Sequence, residues 1–338
     1  MTSLLSMQQL SFAQRYDEYK QAVETTLASL IPNLLPQTLY EPMRYTLLSG
    51  GKRVRPVLAM LACDAVGGNG MDALYAGIAV EILHNFTLIH DDIMDAASVR
   101  RNRPTVHVKW NESAAILSGD GMIAIAYQTL LRSPDLTRLR ELIEAMNTGI
   151  IEVCEGQALD LEFQDCATIG LGQYFEMIDK KTAKMLELAV KVGGIIGGGS
   201  GTQIEALCRY AQTAGIAFQV QDDWLDIAAD AAKLGKTIGG DILEGKKTYL
   251  IIKALEQRDS LPPGDRTLLD EFLQKRGLSA EYIPTMQCLF EQNGIFANAR
   301  CEVERLTHEA HAALDALPDN VGRTLLHEFA TMLLERTH

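Results

Sequence analysis

At 338 residues the chain is long enough to bury a sizeable core, as one large domain or two small ones. With 47% apolar and 22% charged residues its composition is globular rather than disordered. A formal net charge of −13 argues against a nucleic-acid partner, because proteins that neutralise phosphates usually show a basic face.

Apolar residues at three- and four-residue spacing predict helix over roughly 10–30, 38–48, 54–66, 71–95, 111–131, 136–163, 172–197, 202–228, 246–257, 265–275, 279–315 and 320–336. Alternating Val/Ile/Thr runs joined by hairpin turns are missing, so the fold class expected is all-α. Several of these helices are long, which favours a large helical bundle. Loops fall at Gly50-Gly51, at Gly67 to Gly70, at Gly197 to Gly201 and at Gly235 to Gly245. Pro262-Pro263-Gly264 is the strongest boundary signal, but helix continues on both sides, so a single domain over 1–338 is expected. The six cysteines are scattered without a CxxC pair, as in a reduced cytoplasmic protein. Asp17 and Glu18 interrupt the N-terminal segment, so no signal peptide is expected. No uncharged apolar run reaches the ~18 residues of a membrane span.

Two DDxxD motifs carry the clearest chemistry. Asp91, Asp92 and Asp95 close the apolar run through Phe86, Leu88 and Ile89; Asp222, Asp223 and Asp226 follow Ala217 to Val220. On a helix the first and last acid of each motif share a face. Their separation is too long for a solenoid repeat and suits two faces of one cavity. Burying so many acids without a counter-ion is costly, and a cation resolves that cost. Clustered Cys/His ligands are lacking, which disfavours zinc. Oxygen donors suit magnesium, with manganese as a substitute, and magnesium binds through one or two carboxylates plus substrate phosphates. Neither motif supplies the glycine and glutamate of an EF-hand loop.

Cations sit beside these acids or beside glycine breaks. Lys52, Arg53 and Arg55 follow Gly50-Gly51, Arg100 and Arg101 follow the first motif, and Lys180-Lys181-Thr182 lies on a helix. Lys236, Lys246 and Lys247 lie in or just after the second glycine loop. Arginine offers bidentate contacts to phosphate and lysine a compact charge, so several such clusters point to an anion site. Two other patterns are decoys. Gly240 to Lys247 has a P-loop frame but ends in lysine where Ser or Thr must reach magnesium, with no strand before it. Gly193 to Gly201 lacks the βαβ context of a dinucleotide site.

Taken together, GGKRVRP (50–56), HNFTLIHDDIMD (84–95), RRNRPTVH (100–107), GQALDL (156–161), KKTA (180–183), FQVQDDWLD (218–226) and GKTIGGDILEGKKTYL (235–250) resemble the trans-isoprenyl diphosphate synthase, or polyprenyl synthetase, family. The match covers most of the chain in order. Asn102 departs from it, standing where the family commonly has glycine. The resemblance implies an all-helical fold around a deep central cavity, usually as a homodimer. It implies that Asp91, Asp92, Asp95, Asp222, Asp223 and Asp226 bridge several magnesium ions to an allylic diphosphate. Arg100, Lys181, Thr182, Gln219, Lys236 and Lys246 would hold that diphosphate. Lys52, Arg55, His84 and Arg101 would bind isopentenyl diphosphate, and Gln157 and Asp160 would play supporting roles.

The implied chemistry is ionisation of the allylic C–O bond, with metal and cations stabilising the departing diphosphate. A dry pocket protects the carbocation, which the dipoles of Thr182 and Gln219 would stabilise. The double bond of isopentenyl diphosphate then attacks and a proton is lost. Phe86 and Thr87, one turn before the first acid, would gauge chain length and suggest a fifteen- or twenty-carbon product. A class I terpene cyclase also ionises a diphosphate, but it needs no second diphosphate site such as Lys52, Arg55 and Arg101 provide. A non-catalytic subunit of a heteromeric synthase would be expected to lose acids from one motif, and both motifs are complete.

Overall fold

A computed structural model describes residues 11–31, 34–228 and 239–334. Apart from one two-residue ladder the described regular elements are helical, so the chain is all-α as expected. Its residues group into two compact units, each assembled from non-contiguous stretches, and several helices contribute residues to both.

The first unit comprises Met1–Met146, Leu188–Leu207 and Ala316–Phe329. Helix α1 (Phe12–Leu30) starts in a capping box, where Ser11 and Gln14 bond each other's backbone N–H, and buries Tyr16, Tyr19, Val23 and Leu27 along one stripe. Helices α2 (Gln37–Leu47) and α3 (Val54–Ala65) follow, and α3 is buried almost all round. Helix α4 (Leu74–Met94) is apolar and buried through most of its length and turns polar only near its end. It packs against α3 and against α6 (Glu112–Leu130), which Asn111 caps by accepting from the Ala114 N–H. A Cβ at Gly77 would meet the Pro56 backbone at 2.9 Å, so this glycine is what lets α3 and α4 approach so closely.

The two-residue strands β1 (Val99–Arg100) and β2 (Arg103–Pro104) pair antiparallel, followed by a single helical turn α5 (Val106–Lys109). The sequence reading foresaw no strand, because two residues are too few for alternation to show. The turn residues Arg101 and Asn102 lie at φ +52° and +58°, the geometry of a tight hairpin turn. Asparagine is the side chain that best tolerates this conformation after glycine, which explains how the unusual Asn102 is accommodated.

The second unit comprises Asn147–Glu187, Cys208–Asp315 and Ala330–His338. Its elements come from α7 (Leu139–Asp165), α8 (Leu171–Ile178), α9 (Lys184–Ile196) and α10 (Gly201–Ala228), then α11 (Gly240–Leu243), α12 (Tyr249–Glu256), α13 (Pro263–Lys275), α14 (Ile283–Gln292), α15 (Ile295–Ala313) and the end of α16 (Val321–Leu334). The continuous helix expected over 279–315 breaks at Gly294, which sits at φ +71° and starts α15. Pro263 occupies the first turn of α13 and falls inside an unbroken stretch of the second unit. The core gathers Tyr174, Val220, Leu250, Ile251, Phe272 and Phe290.

Between α8 and α9 the helix opens into one π turn, Asp179–Ala183. Such turns are rare and favour functional sites. Two glycines bring neighbours onto it. A Cβ at Gly156 of α7 would fall 2.3 Å from the Lys181 N, and one at Gly215 of α10 would fall 2.7 Å from the Ala183 Cα. The turn that carries Lys181 and Thr182 is therefore clamped on its backbone.

Candidate active site

In the first unit the structure brings the 50–56 loop and the 100–104 hairpin together. Gly50 and Gly51 adopt φ of +77° and +140°, which only glycine holds without strain. Arg101 Nη1 donates to the Gly50 carbonyl at 2.6 Å and to Ser49 Oγ at 3.0 Å. Of the three cations in GGKRVRP, Arg53 turns inward and is consumed structurally. It bonds Glu24 at 2.8 Å, Glu81 at 2.9 Å and the Leu47 carbonyl at 2.6 Å. Lys52 is exposed, and its carbonyl accepts the Tyr16 hydroxyl.

Arg55 is half-buried, and burial lowers its pKa to about 10; Arg101 adds to the drop and Glu81 opposes it. Burial also holds His84 well below the usual histidine range, reinforced by the charges of Arg55, Arg101 and Arg100. Cations depressed by burial and by one another are relieved by an anion. The charges of Arg55 and Arg101 thus act on one another and on His84, and the neutral imidazole remains able to donate a hydrogen bond.

The first acidic motif closes α4. Asp91 and Asp92 lie in its last turn and Asp95 at its C-cap, where the helix dipole already places partial negative charge. Arg100 answers this charge: its Nε donates to Asp92 Oδ1 at 2.6 Å, and its Nη2 lies 3.8 Å from Asp91 Oδ2. Asp92 is buried, and burial raises its pKa although Arg100 opposes the rise. Phe86 is buried and meets His90 edge-on with ring centroids 5.0 Å apart. Thr87 donates its hydroxyl to the His84 carbonyl at 2.8 Å.

In the second unit an open cleft of about 190 Å³ is lined by Lys181, Thr182, Gln219, Asp222, Asp223 and Lys246, all expected site residues. Lys181 pairs with Asp160, while Lys180 turns away to Glu155. Thr182 donates to Gln219 Oε1 at 3.1 Å, and Gln219 Nε2 donates to Asp223 Oδ1 at 3.0 Å. Asp223 Oδ2 accepts from the Tyr174 hydroxyl at 2.6 Å and the Tyr249 N–H at 3.0 Å. Burial still lifts the Asp223 pKa to about 7, with the charge of Asp241 adding to it and the three donors opposing it. Asp222 is exposed. Asp226 is half-buried and accepts from the Asp241 N–H at 3.1 Å. Lys246 lies 2.7 Å from Glu244 and 3.3 Å from Asp241. Burial works against its charge, yet these carboxylates raise its pKa overall.

Burial of all six acids, which would call for a cation, is not what the structure shows: of the six only Asp92 and Asp223 are buried, and protein donors reach both. Asp91, Asp95, Asp222 and Asp226 are wholly or partly exposed, and these are the carboxylates a metal can reach. No three His, Cys, Asp or Glu side chains converge on a metal-sized point among the described residues. The all-oxygen donor set still fits magnesium, which takes few protein carboxylates and completes its shell with water and phosphate. Lys236 lies outside the described residues. The sequence reading overlooked Tyr174, the Tyr249 N–H and Asp241, whose pKa burial pushes up to about 6. Tyr174 had no motif around it, and Asp241 stood inside a quoted motif without a pattern to single it out.

A helical chain with paired aspartate-rich motifs and two cation groups defines a class that handles diphosphates. Residues 36–287 match the polyprenyl synthetase family model. The chain is 38% identical over 323 residues to a short chain isoprenyl diphosphate synthase of Methanothermobacter thermautotrophicus, covering 95% of this chain and 97% of that one. It is 36% identical over 324 residues to a geranylgeranyl diphosphate synthase of Methanosarcina mazei, covering 94% and 95%. The crystal structure of a geranylgeranyl pyrophosphate synthetase from Pyrococcus horikoshii superposes with a TM-score of 0.88 at 36% identity, covering 96% of this chain and 98% of that one. The chain belongs to the polyprenyl synthetase family.

Proposed function

We propose that this protein is a trans-prenyltransferase. It condenses isopentenyl diphosphate with an allylic diphosphate to give a short-chain isoprenyl diphosphate of fifteen or twenty carbons. The observation that carries this reading is the grouping of Arg55, His84 and Arg101, where Arg101 is fixed by the neutral oxygens of Ser49 and Gly50 and so keeps charge for a substrate anion. That group would be a second anion site besides that of Lys181 and Lys246, and a cyclase needs only one.

In this reading Lys52, Arg55, His84 and Arg101 bind isopentenyl diphosphate. Arg100, Lys181, Lys236 and Lys246 hold the allylic diphosphate. Thr182 and Gln219 direct their dipoles at the allylic carbons. Asp91, Asp95, Asp222 and Asp226 are the magnesium ligands; Asp92 holds Arg100 beside Asp91, and Asp223 holds Gln219. Magnesium, when bound, supplies Lewis-acid stabilisation of the leaving diphosphate. Phe86 and Thr87 set product length. The names of the relatives, a short chain synthase and two geranylgeranyl synthases, favour twenty carbons.

We further propose one polyprenyl synthetase domain over the whole chain, and a homodimer. All six cysteines are free thiols, as suits the cytoplasm. No helix among the described residues is long and apolar enough to cross a membrane.

Purified protein with dimethylallyl diphosphate, isopentenyl diphosphate and magnesium should yield a C15 or C20 diphosphate by mass spectrometry. Hydrocarbon formed from geranyl or farnesyl diphosphate without isopentenyl diphosphate would identify a cyclase. An inactive homo-oligomer would point to a non-catalytic subunit.

A further inference from the structure

Gln219 presents a specific problem. A carboxamide can point either its oxygen or its NH₂ group at a neighbour, and only one orientation suits a site that must face positive charge. In this structure the choice is made by Asp223, one helical turn further along α10. Gln219 Nε2 donates to Asp223 Oδ1 at 3.0 Å; the ionised form of Asp223, which the Tyr174, Tyr249 and Gln219 donors favour, only accepts. The amide oxygen is thereby turned to Thr182, whose hydroxyl it accepts at 3.1 Å.

Asp223 is itself held at its other oxygen. Oδ2 accepts from the Tyr174 hydroxyl at 2.6 Å and from the Tyr249 N–H at 3.0 Å. Tyr174 is 1% exposed, and its ring is wedged against Phe175 and Tyr249 with centroids 5.5 Å and 6.2 Å away. The hydroxyl therefore has a fixed position. Without it, Oδ2 would keep a single donor, and the carboxylate could swing about its Cβ–Cγ bond and carry the Gln219 amide with it.

We propose that Tyr174 is a positioning residue of the active site: its hydroxyl, acting through Asp223, fixes the Gln219 amide with its oxygen toward Thr182 and the cleft. The inference rests on the prenyltransferase reading, which gives Gln219 and Thr182 their role. Tyr174 acts through Asp223, to which its hydroxyl is committed. Its effect is confined to the step that the Gln219 dipole assists, and substrate capture by Lys52, Arg55 and Arg101 is independent of it.

The test is steady-state kinetics of the full-length protein with dimethylallyl and isopentenyl diphosphates and magnesium. Wild type, Tyr174→Phe, Gln219→Ala and the double variant are compared, each with its thermal transition followed by circular dichroism. Tyr174→Phe keeps the ring and loses one oxygen. It is expected to lower kcat by about 10- to 100-fold, as loss of a preorganised dipole does, and to leave KM for isopentenyl diphosphate within about twofold. In the Gln219→Ala background the same change is expected to cost little further, because residues acting as a unit are non-additive. An unchanged kcat overturns the proposal. So does a loss that multiplies in full onto that of Gln219→Ala, and so does disappearance of the cooperative thermal transition, which would make the hydroxyl a requirement of the fold. Failure of the wild type to turn over these substrates would remove the prenyltransferase reading itself, a result distinct from the other three.

Discussion

Each acidic motif divides its labour between residues. Asp92 and Asp223 are buried and bonded within the protein, while Asp91, Asp95, Asp222 and Asp226 reach solvent to differing degrees. Replacing Asp91 or Asp222 by alanine should lower kcat by about 10²-fold or more, the scale of losing a preorganised charge at a leaving group; near-normal turnover in either would refute the paired-motif reading. Lys52 is exposed and lies three residues before Arg55, so under the proposed function Lys52→Ala should raise KM for isopentenyl diphosphate with a smaller change in kcat. An unaltered KM would remove it from that site. Phe86→Ala should lengthen the product by at least one five-carbon unit, read by chromatography. Phe86 is only 6% exposed, so the same change should cost about 3–5 kcal/mol of stability, and product length is best compared well below the variant's Tm.

At the scale of elements, most of the fold was legible in the sequence. The period of α1, α4, α6, α7 and α10 is that of buried stripes, and their boundaries fall close to the glycine and proline punctuation. What stayed hidden is local departure from the α period. The π turn at Asp179–Ala183 leaves no mark in apolar spacing, and the β1–β2 hairpin is set by two positive-φ residues rather than by alternation. The role of Gly156 was hidden as well, since only the packing shows its missing Cβ pressed on the Lys181 backbone. Gly156→Ala should destabilise the protein by about 1–3 kcal/mol, the usual cost of overpacking, and lower kcat by displacing Lys181 and Thr182. Gly172→Ala, where a Cβ meets nothing within 4 Å, is the matched control. Equal behaviour of the two variants would show that the close contact is irrelevant.

For the whole molecule, the motifs announced the family, and the structure added how each motif is held. Arg53 shows the limit of reading charge from sequence: three cations in four residues looked equivalent until Glu24 and Glu81 claimed one of them. The buried acids also set a pH dependence. Burial raises the Asp241 pKa from 3.8 to about 6 despite Lys246. The folded state therefore holds this proton more tightly than the unfolded chain does. The group's contribution to stability is complete below about pH 4 and is lost as pH rises through about 6. In chelator-treated protein, Tm should fall over that window by a few degrees, since a shift of this size is worth at most about 3 kcal/mol. Asp241→Asn should flatten the profile, and an unchanged slope in that variant would assign the dependence to other groups.

The π turn has a consequence for how this chain can vary. An α-helix advances about 100° per residue, and a π turn holds one residue more than the α-helical path around it. Deleting any single residue from Asp179 to Ala183 would let the segment relax to plain α-helix. The helical segments on either side would keep their facing, because the surplus residue is what the π turn absorbs. Only the side chains of the turn itself would be re-aimed, Lys181 and Thr182 among them. Single-residue deletions there should therefore lower turnover in a chain that still folds as helix and keeps its Tm within a few degrees, and wild-type turnover in such a variant would show that the bulge is dispensable.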